Sequence, residues 1–268
     1  LGVFLGIFAA MAVLEVIAPR RRLATSKTVR WFGNLTIVAI NTVVLRFAFP
    51  VLAVGVAMEA EARGWGLFNM LDAPFWLAVV ASIVLLDHAI YLQHVMFHAV
   101  PALWRLHMMH HADLDIDVTT GARFHPIEIV LSMLIKMAVV VLLGGPALAV
   151  LIFELLLNAT AMFNHTNVRL PAGLDRVLRL LVVTPDMHRV HHSVVPRETN
   201  SNFGFNLPWW DRLFGSYRAQ PAAGHEGMTI GLAQFREAGR LTLPWMLVLP
   251  FIGPTGAYPI AGRDGTDE

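Results

Sequence analysis

The chain has 268 residues, of which 56% are hydrophobic and 15% charged, with a mean hydropathy of +0.59. Soluble domains carry about a quarter charged residues, so this is the composition of an integral membrane protein. The absence of cysteine excludes disulfides, iron–sulfur clusters and thiolate metal ligands, and a net charge of +1 argues against the basic surface that nucleic acid demands.

The chain opens on Leu inside an apolar run, so the numbered sequence is expected to lack its true start. Leu1 to Ala18 reads as a membrane helix shortened at its beginning and closed by Pro19 and three arginines. Arg20, Arg21, Arg22, Lys27 and Arg30 make the following loop cytoplasmic by the positive-inside rule. Asn34 to Met58 is a second span, interrupted by Asn41, Arg46 and Pro50, and the loop with Glu59, Glu61, Arg63 and Asp72 falls outside. A third span, Pro74 to His98, returns inward. Ile127 to Phe163 is long enough to cross twice, and Gly144-Gly145-Pro146 predicts a tight reversal that brings His165 back to the cytoplasmic side. Leu174 to Val183 suits an amphipathic segment at the interface. Thr184-Pro185-Asp186 reads as an N-cap, a proline in the first turn and an acid placed for the helix dipole, in a helix that Pro196 ends. Arg197 to Arg218 reads as an ordered loop, Leu241 to Gly253 as an interfacial or re-entrant segment, and the tail from Gly262 as loose. All of this forms one integral membrane domain, residues 1–268, and no nucleic acid partner is expected.

Asp87 to His111 holds six of the chain's twelve histidines. At about 100° per residue, Asp87, Tyr91, His94 and His98 lie within roughly 60° on one helical stripe. His107, His110 and His111 follow at i, i+3 and i+4, and the triplet recurs as His188, His191 and His192. A lone histidine on an apolar face is usually a satisfied core residue. Two H-x-x-H-H triplets beside an H-x-x-x-H are not explained that way, because clustered imidazoles at a membrane are costly without a ligand. Imidazole is the commonest nitrogen ligand of transition metals, and one ion takes about four to six ligands, so these eight imply two metals. Two redox-active irons there could bind dioxygen and act on an unactivated C–H bond.

Among the carboxylates, Asp87 is expected to orient an imidazole from a neighbouring position. Asp113, Asp115 and Asp117 could orient ligands but read rather as a solvated loop, and Trp104, Trp209 and Trp210 could line a lipid tunnel but read equally as interfacial residues. His88 and His225 read as bystanders.

The ordered motifs H-V-M-F-H (94–98), H-M-M-H-H (107–111), R-F-H-P-I-E (123–128), N-H-T-N (164–167) and T-P-D-M-H-R-V-H-H-S (184–193), closed by N-F-G-F-N-L-P-W-W-D-R-L-F-G-S-Y (202–217), resemble the fatty acid hydroxylase and sterol desaturase superfamily. The resemblance covers roughly residues 80–218, the expected catalytic region. It implies oxygen-dependent hydroxylation or desaturation of a lipid at two irons, with electrons from a separate redox partner protein. It adds His165 as a further ligand and leaves His125 as either a ligand or an outer partner; Asp87, Tyr91, Asn164 and Asp186 are expected around the ligands. With the spans, it predicts an all-α polytopic membrane bundle of about four to five transmembrane helices under a cytoplasmic helical cap. A membrane metalloprotease would need H-E-x-x-H, which is absent. A haem carrier would not place histidines side by side. The remaining alternative is a histidine-lined metal transporter, whose ligands would be spread through the bilayer near its midplane.

Overall fold

The computed structural model describes residues 2–71 and 73–260. Leu1, Asp72 and the tail from Gly262 lie outside the described residues. The described residues form an all-helical bundle with no strand beyond two isolated bridges, Pro19 with Val168 and Ser193 with Ile230.

Helix α1 (Gly2–Ile17) stops just before Pro19. Helix α2 (Lys27–Ala48) breaks at Phe49 because the residue before Pro50 is excluded from helical ψ. Helix α3 (Ala53–Arg63) continues beyond the break to Gly64, whose φ of 66° closes it in the left-handed region. The short α4 (Leu67–Met70) leads into α5 (Phe75–Ala99), and Pro101 opens α6 (Pro101–His111) from its first position. Helices α7 (Pro126–Leu143) and α8 (Ala147–Asn164) form the hairpin, reversing where the sequence predicts. Gly144 sits there at φ 58°, and a Cβ on it would overlap the backbone of Trp65, so two glycines, Gly66 and Gly144, lock the α3–α4 turn onto the hairpin tip. Helices α9 (Ala172–Leu178) and α10 (Pro185–His191) follow, and Thr184 caps α10 as predicted, accepting from Met187 N at 3.4 Å.

Among the described residues, four helical segments are long and apolar enough to cross a membrane: Lys27–Met70, Phe75–Ala99, Pro126–Leu143 and Ala147–Asn164. Their outward residues are bare hydrophobics such as Phe47, 88% exposed, and Leu142, 71% exposed. An inner core of Ala57, Leu86, Ile90, Met133, Val150 and Phe153 joins α3, α5, α7 and α8. The histidine-bearing ends of α5 and α8, together with α6 and α10, gather at one end, about 27 Å along α7 from Gly144.

Three expectations change. The second span is two helices, and it begins at Lys27 because the first turns of α2 are anchored in the cap. The apolar stretch 241–253, expected as interfacial or re-entrant, folds as short helical turns that bury Met246 and Leu249 against Ile37, Trp104 and Met108 and leave Trp245, Val248 and Phe251 exposed, so the protein core takes only one side of it. The aspartates after α6 are not solvated: Asp113, Asp115 and Asp117 are 0%, 1% and 0% exposed. Arg30 reaches Asp113 at 2.7 Å and also bonds Asp117, while Asp115 accepts from Ala24 N, Thr25 N and Thr25 Oγ1. Against the upward push of burial, Arg30 and Arg123 hold the Asp113 carboxyl down at about 2.

Removing one partner of a buried ion pair leaves an uncompensated charge. Arg30→Ala is therefore expected to cost about 3–5 kcal/mol of stability, read by denaturant unfolding in detergent. An unchanged midpoint would show that the cluster contributes nothing to the fold.

Candidate metal centre

Nine buried imidazoles converge in two groups, and within each group the possible ligand nitrogens lie within 4.8 Å of one another. The first holds His94, His98, His107, His111 and His191; the second holds His110, His165, His188 and His192. Helical geometry explains the partition. Residues at i and i+4 share a face, so His94 pairs with His98, His107 with His111 and His188 with His192. The residue at i+3 is turned away from that pair, so His110 leaves the first triplet for the second group and His191 leaves the second triplet for the first. His165, at the C-cap of α8, completes the set.

The rings are oriented from behind. His94 Nδ1 faces Phe203 O at 2.7 Å, His165 Nδ1 faces Ala161 O at 2.7 Å, His191 Nδ1 faces Ser201 O at 2.8 Å and His110 Nδ1 faces Arg123 O at 3.3 Å. His98 Nδ1 faces Asn200 Oδ1 at 3.0 Å, and His107 Nδ1 faces Glu128 Oε1 at 2.6 Å. A carbonyl or carboxylate accepts from Nδ1–H, which leaves the Nε2 lone pair pointing inward. The inward nitrogens then meet one another: His94 and His107 Nε2 are 3.1 Å apart, His110 and His165 3.2 Å, and His165 and His188 3.0 Å. The Nε2 atoms of His98, His111, His191 and His192 are buried without any hydrogen-bond partner.

Facing lone pairs need a cation between them, and protons do not supply it. Burial pushes His107 down to about 3 and brings His165 to about 3, and burial with mutual repulsion holds His110, His111, His188, His191 and His192 well below the ordinary histidine range. The set is neutral at physiological pH, as a metal requires of its ligands. The donor set therefore fits two transition-metal ions.

The other predicted residues take different places. His125 belongs to neither group; it caps α7, accepting from Ile127 N at 3.2 Å, with its Nε2 3.3 Å from Leu247 O. Asp87 orients no imidazole. It accepts from Trp210 Nε1 at 2.7 Å and Leu207 N at 3.3 Å. Tyr91 bonds Ser216 Oγ at 3.0 Å, and Asn164 donates to Phe205 O at 3.0 Å. All three thus hold the loop 202–217, which Asp211 clamps by accepting from Phe203 N and Gly204 N, and which presents Phe203 O to His94. Asp186 pairs with Arg20, Arg189 and His225 and touches none of the nine. His88 packs on Trp210, and His225, although buried, stands outside both groups.

Sequence reasoning missed Glu128 and Asn200 as ring-orienting partners. Glu128 looks like an ordinary acid in the first turn of α7, and Asn200 sits in a polar loop; only the approach of α6 and α5 gives them their roles.

A cavity of about 530 Å³ runs from His94 and His107 between α2, α5, α7 and α8, and Leu45, Leu52, Met133 and Leu157 line its apolar part.

Residues 79–216, just over half of the chain, match the fatty acid hydroxylase family. Among curated relatives, the ornithine lipid hydroxylase OlsE of Rhizobium tropici is 32% identical over 148 residues, covering 55% of this chain and 44% of the relative. The alkylglycerol monooxygenases of Homo sapiens and Xenopus tropicalis are 30% and 28% identical over 170 residues, covering 62% and 61% of this chain and 36% of each relative. The matched stretch thus spans less than half the length of these relatives, and no solved structure matches the chain. All nine converging imidazoles, with Glu128 and Asn200, fall inside the matched residues, and the chain belongs to the fatty acid hydroxylase family.

Proposed function

We propose that the protein is a membrane-bound di-iron oxygenase that hydroxylates, or desaturates, a C–H bond of a lipid, using dioxygen and electrons from a separate donor protein. The observation that carries this reading is the opening of a largely apolar cavity, set between the apolar helices, onto the first of two adjoining buried groups of imidazoles. Iron is assigned because the relatives' names are those of oxygenases, and imidazole nitrogen suits it.

His94, His98, His107, His111 and His191 would hold one iron, and His110, His165, His188 and His192 the other. Bound iron supplies dioxygen activation and the oxidation of the C–H bond. The chain supplies the rest. Phe203 O, Asn200 and Glu128 keep the rings of His94, His98 and His107 turned inward, so the ligands need no reorganisation. Only the first group lines the cavity, through His94 and His107, so the substrate carbon is brought to that side. The bundle excludes water from both groups, and its apolar walls align a hydrocarbon chain. Arg20 and Arg30 lie at the histidine-bearing end, bonded to Asp186 and Asp113, which supports a cytoplasmic site in a bacterial inner membrane.

Purified protein should contain two metal ions per chain, one for each group, with iron in the active form. Elemental analysis decides this, and a reproducible value of one would sink the dimetal assignment.

His107→Ala and His165→Ala should each lower metal content and turnover together. Glu128→Gln should keep most of the metal while slowing turnover by about 10- to 100-fold, the usual cost of disturbing a group behind a ligand. A Glu128→Gln enzyme with full rate would remove Glu128 from the machinery.

The chain has no cysteine of its own, so introduced cysteines report topology cleanly. Leu180→Cys, at a position 58% exposed near the site, should react with an impermeant label only from the cytoplasmic face, and Glu61→Cys only from the opposite face. Labelling both from one face would contradict the arrangement.

A further inference from the structure

Three oxygens in the cavity wall have no donor. Asn41 donates through Nδ2 to Phe124 O at 2.9 Å, and its Oδ1 is buried and unpartnered. Gln93 donates through Nε2 to Ser132 Oγ at 3.0 Å, and its Oε1 is likewise buried and unpartnered. Glu128 gives Oε1 to His107, and its Oε2 meets nothing. Asn41 and Glu128 are 6% and 3% exposed, and all three residues line the same cavity.

The three lie at its metal end. Glu128 touches His107, Gln93 adjoins His94 in α5, and Asn41 is bonded to the backbone of Phe124, whose ring stacks on His110 at 4.6 Å. Donors farther along are already committed. Thr42 Oγ1 donates to Val38 O, Asn158 Nδ2 to Glu154 O, and Lys136 is paired with Glu154 at 2.6 Å. The cavity therefore presents bare acceptors beside the imidazoles and mainly hydrocarbon beyond them.

A buried acceptor left without a donor loses the hydrogen bonds that water gave it, so a ligand that supplies a donor there is favoured over one that does not. A plain acyl chain has nothing to offer such oxygens, whereas a hydroxyl or an ammonium does. We infer that this cavity selects a lipid whose headgroup donates hydrogen bonds, seated with its hydroxyl or ammonium groups on Asn41, Gln93 and Glu128 and its chain along the apolar wall. The inference rests on the proposal that the cavity takes lipid, and it adds the headgroup chemistry and the polarity of binding. The oxidised carbon then lies close to the headgroup rather than far down the chain.

The test uses the intact, metal-loaded protein in detergent without oxygen, so that binding is read apart from turnover. Affinities are compared within two pairs of lipids of equal chain length: a monoalkylglycerol against its di-O-methyl ether, and an aminoacyl lipid with a primary ammonium against its N-trimethyl derivative. Capping the donors should weaken binding by about tenfold or more in at least one pair, and the pair affected distinguishes hydroxyl from ammonium. Gln93→Leu, alone or with Asn41→Leu, should shrink that preference. Equal binding within both pairs, the result expected if water satisfies the oxygens, overturns the inference. So does failure of all four lipids to bind folded, metal-loaded protein. If the preference holds and the reduced enzyme in oxygen leaves the bound lipid unchanged, the headgroup inference stands and the oxygenase reading falls.

Discussion

The constraint on which the structure turns is that nine neutral imidazoles must be kept dry with their lone pairs facing one another. Imidazole has two nitrogens, and only one can face the centre. In six of the nine rings the other finds an acceptor in the protein, so those six tie the centre to particular pieces of backbone or side chain. Phe203, Ser201, Asn200 and Glu128 have their positions because rings in α5, α6 and α10 need them. The segment 202–217, irregular apart from one helical turn at Trp209–Leu213, is ordered by Asp87, Tyr91 and Asp211 and delivers one carbonyl to His94.

A second constraint meets the first at the bilayer boundary. The cap that closes the centre must be polar enough to fold in water, while the helices beneath it stay apolar outside. The buried cluster of Arg30 with Asp113 and Asp117 joins the two layers, with α2 rising from the cap into the hydrophobic bundle. Through it α2 is tied at Arg30 to the segment that follows α6, and a shift of either element would leave buried charges unpaired.

Much of this was legible in the sequence, wherever information is local. The break at 144–146, the cap at Thr184 and the extent of α5 follow from proline, glycine and hydropathy. The imidazoles were legible because i, i+3 and i+4 spacing is a property of one helix. What escaped depends on a second segment arriving. Asp113, Asp115 and Asp117 look like a solvated loop until Arg30 and Thr25 reach them from about ninety residues earlier. Asp87 does lie on the polar stripe of α5, but its partner comes from Trp210, more than a hundred residues later. His125 shares a motif with Glu128, and only the fold shows that the glutamate serves the centre while the histidine caps a helix.

The adjacent histidines His110-His111 and His191-His192 have a mechanical consequence. Each doublet puts neighbouring residues of one rigid helical turn into different groups, so the two groups share their scaffolding. A rotation of α6 that drew His111 away from the first group would carry His110 out of line with the second. The two halves of the centre are geared together: neither can be dismantled or rebuilt alone, and ordering one set of ligands orders the other.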